Sequence, residues 1–165
     1  MADERHQTGA QWLQELLGFA GLTVSVDPKV VVDDLNDGCW LTIDETKLAE
    51  GQVEALIGER GAVLDSIQYL ANTVLNLGLS REEQQAYTVE LAGYRARRQN
   101  ELKAIASKAA EAVKETQQEY EIASLSSAER RQVHNFLTDY EGLETFSRGK
   151  EPDRRLVVRL VEVAE

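Results

Sequence analysis

Apolar and polar positions along the chain repeat with two periods, helical and extended, in alternating blocks. Leu13, Leu16, Leu17 and Ala20 recur at helical spacing behind a capping box of Thr8 and Gln11, and Gly21 stops the run. Leu22, Val24 and Val26 then alternate with Thr23 and Ser25, which predicts a half-buried strand broken at Asp27-Pro28. Val30 to Val32 stays extended, and Asn36-Asp37-Gly38 is a turn signal. Cys39, Leu41 and Ile43 alternate with Trp40, Thr42 and Asp44 as a second strand. Val53, Leu56 and Ile57 predict a helix over about 47–57. Val63, Ile67, Leu70, Val74 and Leu77 recur at steps of four, three, four and three, so a helix over about 61–77 should bury that stripe before Gly78 ends it. Ser80 to Gln85 reads as a polar turn, and Tyr87, Val89 and Leu91 as a third strand.

The pattern then turns helical from Tyr94 to Gln117, with Leu102, Ile105, Ala109 and Val113 facing inward. Ser126 and Glu129 form a second capping box, and Val133, Phe136, Leu137 and Tyr140 stripe the helix behind it. Leu143 to Ser147 and Arg155 to Val161 read as strands across an Arg148-Gly149-Lys150 turn, with Pro152 ahead of the last strand. The predicted class is α/β: an α-β-β-α-α-β domain over 8–92, a connecting helix over 93–118 and a small α/β domain over 119–165.

Composition changes this picture in one respect. The net charge is −11, which argues against a simple nucleic-acid binder, but the charge is unevenly spread. Residues 1–92 hold 16 acidic and 5 basic side chains, whereas residues 93–165 hold 13 of each. Phosphate contacts depend on the local field, so the basic clusters of the second part keep that function open. The single cysteine, Cys39, excludes an internal disulfide and a thiolate-rich metal site, and fits a reduced, cytoplasmic setting. No apolar run approaches the roughly 18 residues of a membrane span, and MADERHQTGA has no apolar signal core.

Two elements carry candidate chemistry. Gly58-Glu59-Arg60-Gly61 lies between two predicted helices, where glycine lets the backbone turn tightly and lets a ligand approach. The following helix aims free N–H groups at that turn, so it can hold a phosphate. Arg60 is the only cation of the loop, and Glu59 opposes it. The second element is Arg130-Arg131-Gln132-Val133-His134, in which Arg130 and His134 share a helix face and can hold a phosphate or a stacked base. Arg154 and Arg155 lie near the last hairpin and extend this basic surface with Arg148 and Lys150. Arg95, Arg97 and Arg98 crowd the start of the long helix, the wrong charge for a helix N-terminus, and form an auxiliary basic cluster. Catalysis finds no support: there is no phosphate-binding loop of the Walker type and no nucleophile elbow. The adjacent acids Asp33-Asp34 and Asp44-Glu45 face opposite ways, and His6 sits in an N-terminus expected to be mobile. No metal-ligand spacing or cofactor motif is present.

The runs LIGERGAVLDSIQYLANTVLN, VELAGYRARR, SSAERRQVHNFL and EPDRRLVVRL resemble, in the same order, the bacterial Jag family, also called KhpB or EloR. The resemblance covers about residues 8–162. It implies a type-II-like KH domain followed by a small R-three-H domain, named for the Arg-x-x-x-His motif that Arg130 and His134 supply. It further implies binding of single-stranded RNA or DNA, post-transcriptional regulation of mRNA or small RNA, and pairing with a small single-KH protein or with itself. The chain is expected to be a short form without the extra N-terminal domain of many relatives, and Glu59 departs from their usually basic loop. The alternative expectation is an interaction module, in which the acidic KH half docks a partner and only the C-terminal half touches nucleic acid.

Overall fold

Alternation along one strand sets the first core. Cys39, Leu41 and Ile43 fall on one face of β2 (Gly38–Ile43), and all three are fully buried. The computed structural model describes residues 2–31 and 38–161. It divides into two units, one up to Arg95 and one from Ala96 onward. In the first unit, α1 (Ala2–Phe19) and β1 (Val26–Val31) precede β2, and α2 (Glu50–Ile57), α3 (Ala62–Leu75) and β3 (Ala86–Leu91) follow it. The sheet order is β1-β2-β3; β1 runs antiparallel to β2, and β3 runs parallel to it. A parallel neighbour needs a crossover connection, and the α2–α3 pair provides it. Leu13 and Leu17 of α1, Leu64 and Ala71 of α3, and Val89 and Leu91 of β3 close the core around β2. Burial pushes the Cys39 thiol up to about 11, so it is an inert packing residue.

Several local expectations change here. Helix α1 starts at Ala2, so Thr8 lies within it and its hydroxyl donates back to the Glu4 carbonyl at 2.8 Å instead of capping. His6 lies within α1 and is buried there, 6% exposed, with its Nε2 2.5 Å from the Gln85 amide. Strand β1 begins at Val26, and Asp27-Pro28 lies inside it. A proline is tolerated there because β1 is an edge strand and lacks a partner on one side. Asp33-Asp34 and the expected Asn36-Asp37 turn lie outside the described residues.

The largest change is the face of α3. The predicted stripe is mostly exposed: Val63 by 40%, Leu70 by 44%, Val74 by 47% and Leu77 by 79%. Ile67 alone of that stripe is buried as expected, and the helix buries Leu64 and Ala71 beside it. The reason is the free edge of β3. Asn72 accepts from the Tyr87 N–H (2.9 Å) and donates to the Tyr87 carbonyl (2.7 Å), and Asn76 does the same for Gln85 at 2.8 Å in both directions. Gln68 accepts from the Val89 N–H at 3.0 Å, and Arg95 donates to the Val89 carbonyl at 3.2 Å. Side chains four apart on a helix thus match alternate residues of a strand, and the buried edge loses no hydrogen bonds.

In the second unit, α4 (Tyr94–Thr116) buries Leu102, Ala106, Ala109, Ala110 and Val113. These pack with Val133 and Leu137 of α5 (Ser127–Thr138) and with Leu156 and Val158 of β6 (Arg155–Leu160). Helix α4 is therefore a core element of this unit from Ala96 on. The sheet order is β4-β6-β5, all antiparallel, with β4 at Tyr120–Ile122 and β5 at Leu143–Arg148. Strand β4 has no sequence signature, since three residues are too few to show alternation. The Ser126–Glu129 capping box forms as expected, with bonds of 3.2 Å and 2.9 Å.

Candidate nucleic-acid interface

The glycine turn between α2 and α3 has its unusual backbone for steric reasons. Gly58 and Gly61 adopt φ of 73° and 81°, and Arg60 between them adopts 53°. A Cβ on Gly58 would lie 2.9 Å from the backbone nitrogen of Val63, and one on Gly61 would land on the Tyr94 phenol. Both glycines are thus required by packing alone. The charge of the turn is unhelpful to a phosphate. Arg60 lies 3.6 Å from the Glu59 carboxylate, and Asp65 stands in the first turn of α3. Another acidic cleft lies at the ends of β1 and β2, lined by Asp27, Asp44 and Glu45.

The auxiliary cluster splits. Arg95 is tied into the first unit, with Nη1 on Asp65 (2.5 Å) and Nη2 on Gln68 (3.0 Å). Arg98 belongs to the second unit, where it pairs with Glu129 and Glu101 at 2.7 Å each. Arg97 is exposed. The mismatch of cations at the start of α4 is answered by Glu90, a buried carboxylate that accepts from the Arg95 N–H at 3.2 Å. No local pattern marks Glu90 in the sequence, because its partner lies across a turn.

The second unit brings most of its predicted residues together. The first turns of α5 and the β5 edge enclose a cleft of about 470 Å³, lined by Ser127, Arg130, Arg131, His134, Ser147 and Arg154 among others. Arg130 is 5% exposed, and both Nη groups of its guanidinium are engaged. Nη1 donates to the carbonyls of Leu125 (2.8 Å) and Arg154 (3.3 Å), and Nη2 donates to Ser127 Oγ (3.0 Å) and to the Glu151 carboxylate. His134 is exposed, and its Nδ1 is bonded to the Thr145 hydroxyl on β5, which fixes the ring and leaves Nε2 as its other polar atom. Arg131 and Arg154 are exposed, and no carboxylate among the described residues pairs with either. The cleft therefore holds one buried arginine as a frame, with two arginines and a histidine displayed around it.

Arg155 is not part of this cleft. It lies on the opposite face of the sheet, where it pairs with Glu121 at 2.8 Å. Arg148 bridges Glu119 and Glu121 on that same face, and Arg159 pairs with Glu144. Hydrogen bonds from Arg155 and then Arg148 hold the Glu121 carboxyl below its ordinary value. Sequence reasoning missed Ser127, Ser147 and Thr145 as site residues; only their places beside Arg130 and on alternate positions of β5 bring them there. Among the described residues no group of three or more His, Cys, Asp or Glu is placed to hold a metal ion, and no helix is long and apolar enough to cross a membrane.

Residues 100–160 match the R-three-H domain, so the cleft lies wholly within a recognised module. The chain is also similar to proteins named "RNA-binding protein KhpB". The one from Clostridium symbiosum is 34% identical over 105 residues, covering 64% of this chain and 46% of the relative. That from Bacillus subtilis is 30% identical over 105 residues (62% and 50%), and that from Lactiplantibacillus plantarum is 30% identical over 141 residues (85% and 40%). The chain thus spans about half the length of the curated relatives it matches. These matches support the resemblance to the Jag family carried by the sequence motifs.

Proposed function

We propose that this chain binds single-stranded RNA through the cleft at the start of α5. One observation carries the reading: Arg131, His134 and Arg154 are displayed together around a cleft within the R-three-H match. Arginine forks and an imidazole fit phosphates and unstacked bases, and the start of α5 adds the positive end of a helix dipole. The printed name of the relatives supports RNA as the ligand. On this reading the protein is a cytoplasmic post-transcriptional regulator with no catalytic step of its own.

The first unit, read as a KH domain, then docks a protein partner and contributes little to RNA affinity. The exposed apolar stripe Val63, Leu70, Val74 and Leu77 favours this role, as does the acidic surround of Arg60. The partner that the resemblance implies is a small single-KH protein or a second copy of the chain.

The test is fluorescence anisotropy with a short single-stranded RNA across a salt series. Arg131→Glu should weaken binding about tenfold and flatten the salt slope, because each phosphate contact adds roughly 0.7 to that slope for single strands. Arg60→Glu should change affinity less than about twofold, in keeping with an exposed and paired charge. The reverse result would move the RNA site to the glycine turn.

A further inference from the structure

We infer that Glu151 is an internal occupant of an anion seat on Arg130, and that a phosphate of bound RNA displaces it. This rests on the RNA reading of the cleft. The four Nη protons of Arg130 have four acceptors: the Leu125 and Arg154 carbonyls, Ser127 Oγ and the Glu151 carboxylate. Two of these acceptors are main-chain atoms, and the third belongs to the first residue of α5. Glu151 alone sits on a long side chain on the β5–β6 loop, and it is 56% exposed while the arginine side chain is 6% exposed. Its carboxylate also lies within reach of Ser127 Oγ, at 3.4 Å, so it rests at the start of α5.

A carboxylate and a phosphate present the same acceptors to a guanidinium. An incoming phosphate cannot reach the Nη groups of Arg130 while Glu151 holds the seat, because the other three acceptors already occupy their remaining protons. Displacement is the route that the geometry leaves. It moves Glu151 into water, where half of it already lies, and keeps the buried cation paired throughout. The Nη groups of the motif arginine are then contacted only by a ligand that competes with a carboxylate, which favours a full phosphate over weaker acceptors.

The experiment is the salt series on a short single-stranded RNA with the wild-type chain, Glu151→Gln, Asp153→Asn and Arg131→Glu. Asp153→Asn removes the same charge from the same loop without touching Arg130, so it measures the general field. Glu151→Gln should bind about fivefold more tightly, because the phosphate no longer competes with a carboxylate, at a salt slope close to that of the wild-type chain, since Arg130 meets one phosphate in both. Asp153→Asn should gain less than about twofold, in line with a screened surface charge. Equal behaviour of the two loop variants, with Arg131→Glu still weakening binding, overturns the inference and leaves the RNA reading standing. No binding by the wild-type chain and by Glu151→Gln overturns both. A second readout uses the wild-type chain alone, in case Glu151→Gln disturbs the loop. RNA should shift the amide NMR signals of Gly149, Lys150, Glu151, Asp153 and Arg154 together with that of Arg131. Shifts at Arg131 with none in the loop overturn the displacement.

Discussion

Gly58–Gly61 and the Arg130/His134 helix are the two signature elements of the chain, and each is built into its own unit. They differ in what is left over. In the glycine turn, packing against Val63 and Tyr94 uses both glycines, and Glu59 stands against the single cation. In the second unit the frame uses Arg130, while Arg131, His134 and Arg154 remain at the surface around it. A motif residue can thus be present for the fold, for the ligand or for both. The neighbours decide which, because an interaction with solute needs groups that the fold has not already consumed or, as at Arg130, holds through a contact that a ligand can displace.

That contrast can be broken or sharpened by measurement. The largest effect is expected from Gly61→Ala, which combines a left-handed backbone with a clash on Tyr94. It should cost about 3 kcal/mol, read by denaturant unfolding. A variant that keeps its stability and loses RNA affinity instead would turn the glycine turn into a ligand site. Asn72→Leu comes next: it strips both partners from the Tyr87 main chain and should cost about 2 kcal/mol. Faster hydrogen exchange at Tyr87 would confirm where the loss falls. Leu70→Asp should alter the stability of the isolated chain by less than about 0.5 kcal/mol, since the side chain is already in water. Sedimentation should nevertheless show loss of any self-association, and a large destabilisation would mean that the stripe serves the fold.

The smallest effect is a pH dependence. Bonds from Arg155 and Arg148 depress the folded value of Glu121 below the ordinary 4.5. The resulting stabilisation is therefore present above that ordinary value and lost as pH falls through the lower folded one. Melting curves from about pH 6 to about pH 3 should show a shallow acid loss, smaller in Glu121→Gln. In the first unit, Asp44 and Glu83 are lowered mainly by bonds from Thr46 and Ser80, so their effect should stay within single turns.

Where an element announced itself through regular spacing, the sequence was readable. Strands β2 and β3 show plain alternation, and the Ser126–Glu129 box marks the start of α5. Helix α3 was legible as a helix but not as to its face. Its most apolar stripe is exposed, while the buried side includes Gln68, Asn72 and Asn76, whose value depends on a strand edge more than ten residues away for two of them. Hydropathy counts amides as surface residues, so it selects the wrong side. Of the candidate site, residue type brought out Arg130, Arg131, His134 and Arg154, which line one cleft. Arg155 follows Arg154 directly, and strand alternation sends it to the other face. The role of Arg95 was hidden for the same reason as that of Glu90, since each depends on partners outside its own element.

The amide ladder of α3 also bears on how this protein behaves at high concentration. A bare outer strand is a template on which other extended chains polymerise. On β3 the donors and acceptors at Gln85, Tyr87 and Val89 are already matched by side chains of α3 and by Arg95, so an arriving strand finds no vacant row. The opposite rim, β1, carries Asp27, Pro28 and Lys29, which interrupt pairing by charge and by a missing donor. A three-stranded sheet thereby resists fibrillar growth at both margins without closing into a barrel.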